Sequence, residues 1–168
     1  MSEENKALVR RLIKEVEKGD LDVIDEVLAR DFVDHDLLPD QEPDREGYKR
    51  QVAGYVAAFS NVSILIEDQV AAGEKVSSRI TGRATHDRKE LLGAAPTGRE
   101  VSYMAILIHR IEGGKIAEEW GVGTAPSELM GERLEQEVSE RASVERELEV
   151  ARSIQQASLP EEVPELEG

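Results

Sequence analysis

Three side chains stand out as groups that could move a proton: His35, His86 and Glu119. Imidazoles and enclosed carboxylates do acid/base work when burial or a neighbour tunes their pKa. His35 sits between Asp34 and Asp36 in FVDHD. There it could act as a base or as a donor at a pocket mouth; the plain alternative is a loop residue whose acidic neighbours bond the backbone. His86 closes a strand of small residues and could bond a ligand at a cavity entrance, or lie exposed at the strand end. Glu119 precedes the single tryptophan, and strand alternation sends either Glu118 or Glu119 to solvent. His109, the remaining histidine, reads as structural. Tyr55, Tyr103 and Trp120 could line an apolar pocket with polar tips, and equally fit an ordinary core. An HxD cluster without a second set of ligands makes a poor metal site. There is no nucleophile elbow, Gly-rich phosphate loop or dinucleotide signature.

These residues need elements to hold them. Leu8, Val9, Leu12, Ile13 and Val16 form one apolar stripe, which predicts a helix stopped by Gly19. Leu21, Ile24, Val27 and Leu28 give a second helix its buried face. Phe32 to Leu38 reads as a short irregular segment. A third helix starts near Pro43 and Asp44, with Tyr48, Val52, Tyr55, Val56 and Phe59 at helical spacing. The period then changes to two, and four strands follow. The first carries Val62, Ile64 and Ile66 on a buried face. The second, Val76 to His86, sets Val76, Ser78, Ile80, Gly82, Ala84 and His86 against a polar face of Ser77, Arg79, Thr81, Arg83 and Thr85. Small residues on the inner face leave room for a cavity. Val101 to His109 is apolar on both faces, which predicts a central strand covered on both sides. Gly113-Gly114 marks a hairpin, and Lys115 to Val122 returns as the last strand. Helices followed by an antiparallel sheet indicate the α+β class.

Composition narrows the partners. The 168 residues include 21 Lys and Arg against 36 Asp and Glu, a net charge of −15. That sign opposes nucleic acid and anionic membranes. The N-terminus has no apolar signal core, and Met104 to Ile108 is far too short to cross a bilayer. No cysteine is present, which excludes disulfides and thiolate chemistry and fits a reducing cytoplasm. The reading is of a soluble, cytoplasmic protein. From Glu132 onward the chain carries eleven Glu and four Arg, with no aromatic residue. The break near Gly131 marks a boundary. Beyond it Leu134, Val138, Val144, Leu148, Ala151 and Ile154 form a narrow apolar seam in charged surroundings, which suits a coiled-coil-like linker helix.

Two resemblances follow. FVDHD (32–36), ATHDRKELLGAAPTGREV (84–101) and GGKIAEEW (113–120) are similar, in order, to stretches of the SnoaL-like ester and polyketide cyclases. That resemblance implies a nuclear-transport-factor-2-like cone: a curved antiparallel sheet packed on three N-terminal helices, with a pocket between. It also implies acid/base chemistry through an aspartate shortly after the hairpin tryptophan. Here Trp120 is followed by Gly121, Val122, Gly123 and Thr124, so that acid does not carry over. ERELEVARSIQQASLPEEVPELEG (145–168) resembles the helix and lead-in to bacterial PPM-type serine phosphatases of stress and sporulation signalling. The domains are then a cone at 1–131, a helical linker at 132–159 and a lead-in at 160–168. Manganese or magnesium belongs to the phosphatase domain expected beyond, and no cofactor is assigned to this chain.

Three functions compete. The first is a regulatory, dimerising module that binds a small apolar or amphipathic molecule and controls a phosphatase acting on a phosphorylated anti-sigma-factor antagonist or similar regulator. The second is a cyclase, isomerase or hydrolase that uses His35, His86 and Glu119 as an atypical acid/base set. The third is a structural dimerisation domain with a filled cone. The ligand pocket of the first would be built from His35, Tyr55, His86, Tyr103 and Trp120.

Overall fold

The computed structural model describes residues 2–36, 41–91 and 93–124. Three helices and five strands run in the order α1 (Ser2–Glu17), α2 (Asp22–Val27), β1 (Leu28–Asp34), α3 (Arg45–Ala58), β2 (Phe59–Ala72), β3 (Lys75–His86), β4 (Arg99–Glu112) and β5 (Lys115–Gly123). The strands form one sheet ordered β1-β5-β4-β3-β2. The α+β class and the curved sheet behind three helices agree with the sequence.

One expected element is corrected. The irregular segment beginning at Phe32 is, up to Asp34, the end of strand β1, so the sheet has five strands and not four. β1 pairs parallel with β5, and the sheet is mixed. Leu28, which fits the apolar stripe of α2, is instead the first residue of β1. Leu37, Leu38 and Pro39, the linker seam from Leu134 to Ile154, and the boundary near Gly131 lie outside the described residues. Among the described residues no helix is long and apolar enough to cross a membrane.

The core lies between the helices and one face of the sheet. Val9, Leu12 and Ile13 of α1, Val23, Ile24 and Val27 of α2, and Val52 of α3 pack with Phe32, Val76, Ile80, Ile111 and Ile116. Each such side chain, fully buried, contributes roughly 1.5–3 kcal/mol. Asp44 caps α3: its carboxylate accepts the Gly47 N–H at 2.8 Å, the bond that the first-turn amide would otherwise lack. On β3 the residues from Val76 to His86 at every second position are all buried, as the alternation requires.

The hairpin from β4 to β5 is irregular in a way that decides the site. Glu112 pairs with Lys115 and Ile111 with Ile116, but Arg110 pairs with Glu118 and His109 with Glu119. One extra residue, Ala117, has entered β5, and Ile116 and Ala117 are both buried. This bulge moves every later β5 side chain to the opposite face from the one a regular hairpin would give.

The outer face of the sheet behaves differently. Met104, Ile106 and Ile108 of β4, Val122 of β5 and Leu65 and Val70 of β2 remain 37–69% exposed. β4 is central, as expected, but among the described residues only its inner face is covered.

Candidate functional site

Because of the bulge, Glu119 points to the helix-covered face. It lies in a row with partners on each side: Asp34 is its cross-strand neighbour on β1, and His109 on β4. All three are buried, at 3%, 7% and 0% exposure for Asp34, Glu119 and His109. His109 Nε2 stands 2.7 Å from Glu119 Oε2. The approach is off the line of a hydrogen bond, which leaves both atoms and His109 Nδ1 without one. Asp34 is better served. Its Oδ1 accepts the Asp36 N–H at 2.9 Å, and its Oδ2 accepts from Gln41 Nε2 at 3.1 Å. The backbone locks the row in place: Asp34 N–H donates to Pro43 O at 3.0 Å, and His35 N–H to Glu119 O at 2.9 Å.

Burial, and then the neighbouring charge of Glu119, raises the Asp34 carboxyl above its ordinary value despite the two bonds that favour the anion. Tyr48 lies close to the row, and Tyr55 and Tyr103 lie elsewhere on the helix-covered side. Burial lifts the Tyr48 phenol well above its usual value, and the charges of Glu119 and Asp34 add to the effect. Tyr55 and Tyr103 are raised too, chiefly by burial. All three phenols therefore stay protonated at neutral pH and remain hydrogen-bond donors.

Asp36 joins this face from the end of β1. A Cβ built on Gly121 would lie 2.7 Å from Asp36 Oδ2 and 3.3 Å from Leu107 Cδ2. Gly121 pairs with Leu107 and Gly123 with Ala105, both at inner positions of the sheet. After Trp120 the inner side of β5 thus carries glycine only, and the Asp36 carboxylate occupies the room at Gly121. Tyr103 does the same at Gly82, where a Cβ would lie 2.1 Å from ring atom Cε1. On the small-residue face of β3 the room expected for a cavity is taken at Gly82 by the Tyr103 ring.

The structure divides the sequence-derived candidates. Glu119, Tyr55 and Tyr103 belong with the inner face. His35 and Trp120 come together, but on the outer face: Trp120 pairs with Ile108, and the His35 ring stacks on the indole at 4.6 Å with planes 1° apart. His35 Nε2 lies 2.8 Å from Glu118 Oε2, and Arg110 Nε donates to the other Glu118 oxygen at 2.6 Å. These partners, His35 first and then Arg110, hold the Glu118 carboxyl below its usual value. Lys75 Nζ is 5.0 Å from the centre of the Trp120 ring system. His86 is fully buried rather than exposed. Its Nε2 donates to Lys89 O at 2.9 Å, and its carbonyl accepts Thr97 N–H and Gly98 N–H at 3.0 and 2.7 Å. It thus anchors the loop from Asp87 to Gly98, the PTG turn included. His35, His86 and Glu119 do not meet as one acid/base set.

Asp34, Asp36, Tyr48 and His109 were missed as site residues. The FVDHD motif pointed at the first two but drew attention to its histidine. Among the described residues no group of three or more His, Cys, Asp or Glu is arranged to hold a metal ion. An open groove of ≈ 400 Å³ lies between α1 and β2, lined by Arg10, Lys14, Leu65, Ile66, Asp68 and Gln69. None of the candidate residues borders it.

Comparison with known proteins places this geometry. The profile of the SnoaL-like polyketide cyclases matches residues 7–124. No curated protein matches the chain. Among solved structures, AclR from Streptomyces galilaeus, a candidate hydroxylase, is 28% identical with a TM-score of 0.66, covering 74% of this chain and 91% of its own. IdmH from Streptomyces antibioticus, a candidate polyketide cyclase, is 27% identical with a TM-score of 0.62, covering 77% and 97%. TsrD from Streptomyces laurentii shares the fold at 23% identity and a TM-score of 0.65, covering 71% and 87%.

Proposed function

The chain belongs to the SnoaL-like polyketide cyclase family, and from that premise we propose that it is a small-molecule-binding regulatory module rather than a cyclase. The observation that carries this reading is the inner side of β5 beyond Trp120. Gly121 and Gly123 stand where the family resemblance expects an acid, while a buried polar set of Asp34, Glu119 and His109, with half-buried Tyr48 beside it, remains to hold a ligand. Buried polar groups at the end of an apolar cone fix the orientation of a bound molecule. The module pairs with a second copy through the outer sheet face. Met104, Ile106, Ile108 and Val122 there form an apolar surface of the kind that marks an association site.

The regulated partner in this reading is a PPM-type serine phosphatase in the same polypeptide, which requires manganese or magnesium and acts on a phosphorylated anti-sigma-factor antagonist or similar regulator. The support is the sequence of residues 145–168 and its similarity to such lead-ins. The experiment is to read the coding sequence onward from Gly168 and to assay the whole product on a serine-phosphorylated substrate with manganese. The reading predicts a phosphatase domain whose rate changes when a ligand fills the cone. A coding sequence that continues into something else, or stops, contradicts the regulatory part.

A second reading has its own observation. The row Asp34–Glu119–His109 sets two buried carboxylates beside one imidazole, a grouping that could take and return a proton. It favours an isomerase- or cyclase-like enzyme with acid/base residues outside the position implied by the family. Detection of turnover that Glu119→Gln abolishes would establish it.

A further inference from the structure

Strand β2 is an edge of the sheet. An edge strand leaves half of its backbone N–H and C=O groups without a ladder, and folded chains normally blunt it. The Ile64 carbonyl shows which half points outward on β2, since it accepts from Lys14 Nζ at 2.8 Å. Ile64, Ile66, Gln69 and Ala71 pair with Gly82, Ile80, Ser78 and Val76, every second residue of β3. In an antiparallel pair such positions share one side of the ladder, so all four turn their backbone groups to the open edge. The register shift between Ile66 and Asp68 adds its residue to β2 and leaves the alternation of β3 intact. Apart from the Ile64 carbonyl, these groups meet no partner among the described residues.

The ground beside the edge is hollowed and charged. The groove of ≈ 400 Å³ runs between it and α1, with Arg10 and Lys14 on the helix side and Leu65, Ile66, Asp68 and Gln69 on the strand side. Two cations thus face one carboxylate. That carboxylate is already held: Arg79 Nε and Nη2 donate to Asp68 Oδ2 at 3.0 and 2.7 Å. Arg10 meets Glu3 only at 3.7 Å, past hydrogen-bond distance. Lys14 divides its charge between Glu17 Oε2, at 2.9 Å, and the Ile64 carbonyl. On the other face of the strand Leu65 and Val70 are 58% and 69% exposed. A chain laid along the edge would alternate its side chains between these two surroundings.

We propose that the β2 edge docks an extended segment of another protein, in which acidic residues alternate with apolar ones, as an added strand of the sheet. Main-chain bonds to Ile66, Gln69 and Ala71 hold the segment, its carboxylates meet Arg10 and Lys14, and its apolar side chains cover Leu65 and Val70. The site is independent of the small-molecule reading.

The test titrates capped peptides of about eight residues, the length of an ordinary strand, into the isotope-labelled full chain. One repeats Val-Glu, one repeats Val-Lys, and one is the Val-Glu peptide with every amide N-methylated, so that it cannot donate to a strand. Backbone NMR and amide exchange are followed. The Val-Glu peptide is expected to shift the Ile66, Gln69 and Ala71 amides and to slow their exchange. It should bind roughly fivefold more tightly than Val-Lys, the worth of exposed ion pairs. Arg10→Glu, at a side chain 47% exposed, should abolish or reverse that preference without changing the free fold. The N-methylated peptide is expected not to bind. Equal binding of the acidic and basic peptides, an unchanged preference in Arg10→Glu, binding of the N-methylated peptide, or shifts confined to other strands would each overturn the proposal. Absence of binding at about 1 mM would do the same. Concentration-dependent shifts of these amides in the peptide-free chain would give the edge to a second copy and overturn it as well.

Discussion

Gly82→Ala is the sharpest test of how the inner face is filled. Gly82 lies in the middle of β3 opposite Tyr103, with no positive φ, so alanine is compatible with the backbone. In open space the change would stabilise by about 0.4–1 kcal/mol through the unfolded chain. The space is not open. The new methyl would sit 2.1, 2.2 and 2.5 Å from Cε1, Cζ and Oη of Tyr103, whereas ordinary contact begins near 3.4 Å. The ring must withdraw by more than an ångström from a position packed against the core. Overpacking of this kind costs about 1–3 kcal/mol. The net expectation is a loss of about 1–2 kcal/mol, or a Tm lower by about 3–8 °C. The assay is urea unfolding of Gly82→Ala, Tyr103→Ala and the double variant. With the ring removed, Gly82→Ala should become neutral or mildly stabilising, so the cycle should show a coupling above about 1 kcal/mol. Equal effects of Gly82→Ala in both backgrounds would refute the placement of Tyr103 over Gly82.

Other consequences are simpler to read. Asp34 has a raised pKa in the fold, so the folded state holds its proton more tightly than the unfolded chain and stability falls as pH rises through that interval. Asp34→Asn should therefore stabilise the protein at pH 7 and lose that advantage below the ordinary aspartate pKa, as thermal melts across pH would show. Asp44→Ala removes the cap on α3 and should cost about 1 kcal/mol in urea unfolding. Ile106→Asp places a charge in the centre of the outer apolar face, where Ile106 is 41% exposed. On the proposed pairing through this face, it should convert the dimer to a monomer in sedimentation velocity with little change in monomer fold by circular dichroism.

Much of the fold was legible because its signals are local. The apolar stripes of α1 and α3, the strict alternation of β3 and the Gly113-Gly114 turn each need only a few neighbouring residues. β1 was hidden because its pairing with β5 is parallel and distant in sequence, with a register shift between Leu28 and Val33. Leu28 fits a helical stripe locally, and only the sheet makes it a strand residue. The site was less legible for the same reason. Counting back from the hairpin, a regular ladder sets His109 against Glu118. The single-residue bulge at Ala117 replaces Glu118 with Glu119 and so decides which glutamate is buried. Nothing in GGKIAEEW marks that bulge beyond two successive apolar residues, Ile116 and Ala117. The apolar outer face of β4 was read correctly as apolar, but among the described residues only its inner side is covered.

The central claim is that the cone binds a small molecule and does not transform it. The most direct measurement is to incubate the protein with a panel of small amines and oxygenated aromatics, map binding by NMR and analyse each compound by mass spectrometry and chirality after prolonged contact. The account predicts shifts at Tyr48, Gly121 and Glu119 with the bound compound recovered unchanged. Recovery of an isomerised or cyclised product, lost when Glu119→Gln or Asp34→Asn replaces the native protein, would contradict it and make the buried row an active site.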